Sequence, residues 1–153
     1  MRKLLWPECS TERHELEMNL ILSSSGIVFV AELSNSELVG FAEISIRNDH
    51  VEGTTQSPIP YLEGWYVDPK YRGMGIGKAL IKSAEDFALK KGFDELASDA
   101  ELSNESSIEI HKKVGFKEVG RTVHFVKTIR QCDAVITEQA KAVDGYRRRS
   151  SRR

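Results

Sequence analysis

Three glycines at alternate positions are the feature of this sequence best suited to chemistry. Gly73, Gly75 and Gly77 lie between a β-prone segment that ends at Asp68-Pro69 and a helical pattern that begins near Gly77. Glycine lets backbone N–H groups approach a ligand closely, and a helix N-terminus adds unsatisfied donors and partial positive charge. The turn therefore predicts an anion site that suits a pyrophosphate.

Two common phosphate-binding motifs do not match this turn. Its spacing is G-x-G-x-G, whereas a dinucleotide-binding loop has G-x-G-x-x-G. The Walker motif requires glycine at position 72 and Ser or Thr after Lys78, but this chain has Arg72 and Ala79 there. A glycine-rich turn alone is weak evidence, so its interpretation depends on the surrounding elements.

Those elements predict an α/β fold, with a mixed sheet and helices on its faces. An amphipathic helix over 11–22 has Leu16, Leu20 and Ile21 on its apolar face. The expected order is α-β-β-β-α-β-α-β, with the later segments at 27–33, 38–46, 61–67, 77–91, 94–98, 106–113 and 116–127, the last holding one or two strands. The helix over 77–91 has a clear buried stripe that consists of Ile76, Leu80, Ile81, Ala84 and Ala88.

Length and composition indicate one soluble domain over residues 1–129. No apolar run reaches the roughly 18 residues that a membrane helix requires. The two cysteines, Cys9 and Cys132, have no Cys or His neighbours at zinc-ligand spacing. We therefore expect no metal, isolated thiols and a reducing, cytoplasmic setting.

Residues 130–153 differ in charge from the rest of the chain. They hold seven Lys/Arg and three Asp/Glu, so the other residues carry a net charge of −5. An acidic domain favours a cationic ligand over nucleic acid. The segment predicts a basic, disordered tail, and a contact with nucleic acid or another anionic surface is the alternative.

Two motifs in order resemble those of the GNAT superfamily of acetyltransferases. Arg72-x-x-Gly75-x-Gly77 resembles the acetyl-CoA signature at the junction of the superfamily's fourth strand and third helix. The later run from Asn104 to Phe116, in which Asn opens a helix that ends in Gly-Phe, is similar to its second motif. The resemblance implies a GNAT fold and acetyl-CoA as co-substrate.

A narrower resemblance, over residues 1 to about 129, is to the aminoglycoside 6′-N-acetyltransferases of Gram-negative bacteria. It rests on Leu5-Trp6-Pro7, 46–51, Leu62-Glu63-Gly64, Ala97-Ser98-Asp99 and Val114-Gly115-Phe116. The resemblance implies a homodimer that acetylates the 6′-amine of these antibiotics. The cofactor-binding residues that it implies are Trp65, Tyr66, Val67, Arg72, Gly73, Met74, Gly75, Ile76, Gly77 and Asn104.

The resemblance also implies a substrate pocket whose carboxylates meet ammonium groups. Glu63 and Asp99 are the candidate catalytic and binding carboxylates, and Trp6 and His50 are further candidate substrate-binding residues. A carboxylate there can bind the ammonium form of the amine and then take its proton, directly or through water. Because Glu63 lies two residues before Trp65 on one strand, alternation places the two side chains on the same face.

This chain departs from that family's pattern at several positions. It matches from within the family's first helix, so the family's first strand and part of that helix have no counterpart here. His50 replaces an aromatic residue and Gly120 a third pocket carboxylate, and Phe125 stands where a Tyr proposed as general acid occurs. These departures keep two alternatives open: a GNAT enzyme for another amine, such as a polyamine or a protein N-terminus, and a non-catalytic acyl-CoA-binding protein.

Overall fold

A four-stranded mixed sheet forms the centre of the computed structural model, which describes residues 1–23 and 25–128. Its strands have the spatial order β1-β2-β3-β4; β1–β2 and β2–β3 are antiparallel, and β3–β4 is parallel. The elements are α1 (Arg2–Leu5), α2 (Thr11–Ser23), β1 (Ile27–Glu32), β2 (Leu38–Arg47), β3 (Ile59–Val67), a 3₁₀ turn (Pro69–Tyr71), α3 (Ile76–Lys90), β4 (Ala97–Ser98) and α4 (Glu105–Val114).

Helix α3 covers one face of the sheet and builds the main core. The core unites Ala42 and Ile44 of β2 and Leu62 of β3 with three residues of α3, which are Leu80, Ile81 and Ala84. The predicted stripe is confirmed, because Leu80, Ile81, Ala84 and Ala88 are all buried. Burial of these side chains fixes the N-terminus of α3 beside the end of β3.

Helices α1 and α2 lie on the side of the sheet to which Glu43 of β2 points. The predicted apolar face of α2 is wrong at two of its three positions: Leu16 is 61% and Leu20 59% exposed, although Ile21 is half-buried. His14 is buried instead. The reason is a polar network, in which Arg2 bonds to the fully buried Glu43 over 2.5 Å and to His14 Nδ1 over 3.0 Å. Paired polar groups thus occupy the contact that apolar periodicity assigns to leucines.

The segment after α4 also differs from expectation. Helix α4 is capped by Asn104 at its N-terminus and by Gly115 at its C-terminus, but residues 116–128 form no strand. A β-prone segment needs a neighbouring strand to pair with, and here Val123 and Phe125 are exposed to solvent. The predicted strand over 94–98 is confirmed only at Ala97–Ser98.

One compact unit spans Met1–Arg121 and a second begins at Thr122. The predicted basic tail over 130–153 lies outside the described residues. Within the described ranges, no helix is long and apolar enough to cross a membrane.

Candidate active site

The glycine turn leaves the N-terminus of α3 open. Gly73 and Gly75 have positive φ angles of 80° and 85°, and Gly75 caps α3 without a side-chain hydrogen bond. A Cβ added at either glycine would meet no atom of the described residues within 4 Å, so these residues leave the backbone there accessible to a ligand. Arg72 holds the turn against the sheet, since its Nε donates to the carbonyl of Val67 over 2.9 Å.

Strands β3 and β4 pair over only two residues and then separate. The register joins Tyr61 to Ala97 and Leu62 to Ser98, whereas β3 continues to Val67. In the described part of the chain, no strand pairs with residues 63–67 on this side. This edge offers backbone donors and acceptors to an extended ligand with amide groups.

The backbone edge and the glycine turn together fit the two polar parts of acetyl-CoA. The N-terminus of α3, which no side chain caps, suits the pyrophosphate. The unpaired edge of β3 suits the amides of the pantetheine arm. The predicted residues Trp65, Tyr66, Val67 and Arg72 through Gly77 are adjacent in this arrangement, with Met74 and its exposed side chain at the turn. Asn104 begins α4, and its Oδ1 accepts a hydrogen bond from the Ser107 N–H over 3.1 Å.

Gly77 has a packing role in addition to its place in the turn. A Cβ at this position would lie 2.9 Å from Cζ2 of Trp65. Trp65 itself packs against the core beneath α3 and edge-to-face on His111, with ring centroids 5.6 Å apart. The absence of a side chain at Gly77 therefore lets α3 begin directly over the Trp65 ring.

A β-bulge at Glu63 corrects the prediction that Glu63 and Trp65 share a face. The register pairs Glu43 with Gly64 and Ile44 with Leu62, so Glu63 is an extra residue on β3. Trp65 packs toward α3, whereas Glu63 bonds to side chains on the side of α1 and α2. The bulge interrupts the alternation on which the prediction rested.

Glu63 and Asp99 belong to one cluster of polar side chains. Glu63 accepts hydrogen bonds from the Ser45 hydroxyl over 2.5 Å and from Arg47 Nε and Nη2 over 2.9 and 2.6 Å. The Arg47 guanidinium lies 3.3 Å above the centre of the Tyr61 ring, and the Tyr61 hydroxyl donates to Asp99 Oδ1 over 2.5 Å. The hydrogen bond and charge of Glu63 raise the pKa of Arg47, so this arginine stays protonated.

Trp6 lies beside this cluster. Its ring contacts the backbone of Gly64, the residue after Glu63, and a Cβ there would overlap Trp6 Cη2. Arg2 lies 4.7 Å from the centre of the Trp6 ring and anchors α1 through its bond to Glu43. The sequence therefore predicted three residues, Trp6, Glu63 and Asp99, that the structure places along one surface of β3.

His50 is not brought into the cluster. Its side chain is 78% exposed, and its Nε2 lies 3.9 Å from Glu52 Oε2. The structure instead contributes Arg47 and Tyr61, which the sequence reasoning missed. The available signal was alternation of polar residues inside an apolar strand, because Glu43, Ser45 and Arg47 occur at every second position of β2.

Comparison with known proteins identifies the fold that carries this site. Residues 1–116 match the Acetyltransferase (GNAT) family. The chain belongs to this family. The GNAT match covers the glycine turn, both carboxylates and Asn104, and it confirms the superfamily that the two motifs indicated.

Curated relatives within this GNAT family are similar over most of their length. The aminoglycoside N(6′)-acetyltransferase type 1 of Stenotrophomonas maltophilia is 39% identical over 125 residues, which are 82% of this chain and 81% of that protein. The enzyme of the same description from Serratia marcescens is 38% identical over 130 residues, 84% of this chain and 89% of its own.

Solved structures give the same result. AAC(6′)-Iy in complex with the bisubstrate analog CoA-S-monomethyl-acetylneamine superposes with a TM-score of 0.77 at 35% identity, over 84% of this chain and 88% of that one. AAC(6′)-Ih from Acinetobacter baumannii superposes with a TM-score of 0.78 at 36% identity and the same two coverages. The similarity thus extends to an enzyme that was solved with a bisubstrate analog containing a CoA group.

Proposed function

We propose that this protein transfers the acetyl group of acetyl-CoA to the 6′-amino group of aminoglycoside antibiotics. The observation that carries the proposal is the change in β3 at the Glu63 bulge. The Glu63 side chain points into the polar cluster, whereas Trp65, beyond the bulge, packs toward α3. The open edge and the glycine turn suit the donor, and an acidic cluster with Glu63 and Asp99 suits a cationic acceptor. Relatives at 38% and 39% identity carry this activity in their descriptions.

Asp99 acts as the base in this proposal. An amine must be neutral to attack a thioester, so Asp99 first binds the ammonium form and then takes its proton, directly or through water. As the new C–N bond forms and the C–S bond breaks, a backbone N–H from residues 65–67 stabilises the negative oxygen. Coenzyme A leaves as its thiol, because the second proton that the nitrogen loses on forming the amide passes to the sulfur through water.

Much of the rate enhancement comes from placing the two reactants together. The donor is held by backbone and the acceptor by charged side chains of adjacent strands, so the amine and the carbonyl meet without further diffusion. Trp6 supports the acceptor side through its contact with Gly64. Phe125, at the position of the Tyr proposed as general acid, has no proton to give to the leaving sulfur.

The test is an acetyl-transfer assay against aminoglycosides that have or lack the 6′-amine, with released coenzyme A thiol as the readout. We expect turnover only with drugs that carry the 6′-amine. Turnover of polyamines or peptides in preference to these drugs would contradict the proposed substrate. Binding of acetyl-CoA without turnover of any amine would identify a non-catalytic binding protein.

We also propose that the protein works as a homodimer in the cytoplasm. Strand β1 is an edge of the described sheet, and Val30 on it is 52% exposed. Leu16 and Leu20 of α2 add further exposed apolar surface. An apolar strand edge favours association between chains. Light scattering at increasing protein concentration tests the dimer, and a mass that stays at one chain would contradict it.

A further inference from the structure

Glu63 already holds a cation of the protein itself. The two hydrogen bonds from Arg47 reach different oxygens of the carboxylate, which is the strong forked geometry between a guanidinium and a carboxylate. The Ser45 hydroxyl takes a further position on Oε1. Glu63 is thus poorly placed to receive a substrate ammonium at the same time.

Asp99 has a different environment. Its Oδ1 accepts the Tyr61 hydroxyl, and within the described residues its Oδ2 has no hydrogen-bond partner. Asp99 is also exposed, whereas Tyr61 is 5% exposed and Arg47 stacks on its ring. The series of contacts from Glu63 through Arg47 and Tyr61 to Asp99 therefore ends in a carboxylate. Tyr61 holds this carboxylate in place, and its second oxygen is available to a ligand within the described structure.

We propose that Arg47 determines which amine state this site favours: it neutralises Glu63, so that Asp99 alone receives the reacting ammonium. This inference rests on the proposed function and deepens it. Two carboxylates and one guanidinium leave the cluster with one net negative charge, which matches one ammonium group. Arg47 is a positioning and specificity-determining residue, since it acts through Glu63 and through its field.

The field of Arg47 also favours the chemistry. A positive charge close to a bound ammonium lowers the pKa of that ammonium, so its proton passes more readily to Asp99. The titratable groups that act on the guanidinium in the described structure are Glu63, Tyr61 and Asp99. Without Arg47, the amine would face two carboxylates, bind more tightly as ammonium and lose its proton less readily.

The experiment measures kcat against pH with one 6′-amine drug at saturating concentration, since kcat reports the ionisation of the bound complex. The variants are Arg47→Gln, Arg47→Lys and Glu63→Gln. Lys90→Gln, which removes one positive charge at the end of α3 away from the glycine turn, is the charge-matched control.

We expect Arg47→Gln to move the acidic limb of the kcat profile to higher pH by about one unit. KM should fall or stay unchanged while kcat at neutral pH decreases about tenfold. Glu63→Gln should move the limb to lower pH, because it removes a negative charge and keeps Arg47. Arg47→Lys should restore most of the wild-type limb, and Lys90→Gln should match wild type.

The inference would be overturned if the acidic limb of the kcat profile stayed unchanged in both Arg47→Gln and Glu63→Gln, or moved in the same direction in both. In that case, acetylation of the drug by the wild type would still support the proposed function. Titration calorimetry of the drug in two buffers of different ionisation heat gives the proton release on binding without turnover. Arg47→Gln should release fewer protons than wild type. A wild type that binds no aminoglycoside would overturn the inference and the proposed function together.

Discussion

Asp99 and Glu63 have the same charge but different partners. Among the described residues, Arg47 and Ser45 form hydrogen bonds to Glu63, whereas Asp99 Oδ2 has no hydrogen-bond partner, so the two carboxylates should not contribute equally. We expect Asp99→Asn to lower kcat/KM by at least about a hundredfold, the range for loss of a general base. Glu63→Gln should lower it less, and neither should change acetyl-CoA affinity by calorimetry. Wild-type kinetics in both variants would remove the pocket assignment.

Tyr61 links the site to stability at high pH. Burial and the hydrogen bond to Asp99 raise the pKa of Tyr61 above its ordinary value. The folded state therefore keeps this proton at pH values where the unfolded chain, with a pKa of about 10, has lost it. Stability is fully present below about pH 10 and falls as the pH rises beyond it.

Tyr61→Phe removes this source of alkaline instability. We expect wild type to lose more free energy of unfolding between about pH 9 and pH 11 than the variant does. Urea denaturation at the two pH values measures the difference. Equal losses in both proteins would show that the Tyr61 proton is not bound more tightly in the folded state.

Among the elements, α3 was predicted in both its position and its buried face, whereas α2 was predicted in its position but not in the face that it buries. The stripe of α3 is made by apolar side chains alone, so periodicity finds it. The contact of α2 depends on Arg2, His14 and Glu43, whose pairing is visible only in three dimensions. The bulge at Glu63 is likewise set by the register between β2 and β3, so no local residue pattern predicted it.

Sequence motifs also predicted more of the donor site than of the acceptor site. The glycine turn is contiguous in the chain, so its residues can be recognised together. Arg47, Tyr61 and Asp99 come from three separate segments and form a cluster only when β2, β3 and β4 assemble. Asp99 was found through resemblance to a family, whereas the resemblance assigned no role to Tyr61 or to Arg47, although Arg47 lies in the matching segment 46–51.

The glycine turn gives a prediction about the start of α3. Gly75→Val places a β-branched residue at a φ of 85°, which costs on the order of 1–3 kcal/mol. The variant should lose both stability and acetyl-CoA affinity, as measured by thermal unfolding and calorimetry. Gly75→Asn, which tolerates this conformation better, should keep most of the stability and still bind acetyl-CoA less tightly.

Gly92 supplies the matched control for this prediction. It has a φ of 88° just after α3, and a Cβ there would also meet no atom within 4 Å in the part of the chain that the structure describes. Gly92→Val should therefore lose similar stability while acetyl-CoA binding stays normal. If Gly75→Val binds acetyl-CoA as tightly as wild type, the anion site at the turn is wrong.

At the scale of the whole molecule, the positive charge of residues 130–153 offsets most of the negative charge of the other residues. The net charge is −1, although residues outside 130–153 carry −5. We expect deletion of 130–153 to leave the melting temperature and kcat nearly unchanged. KM for a polycationic drug should fall at low salt and converge with wild type as salt screens the field. A large loss of stability or kcat would contradict an independent tail.

The separation of β3 from β4 has a consequence for how the enzyme can diversify. In the proposed binding mode, the donor side relies on main-chain groups, which replacements outside the glycine turn scarcely alter. The proposed acceptor side relies on four side chains, and one substitution at any of them changes its charge or shape. They are Arg47, Tyr61, Glu63 and Asp99. Substitutions can therefore change which amines the enzyme accepts while it still uses acetyl-CoA. Random variants selected on new amines should accumulate changes around Arg47, Tyr61 and Asp99, and few at Gly73 or Gly75.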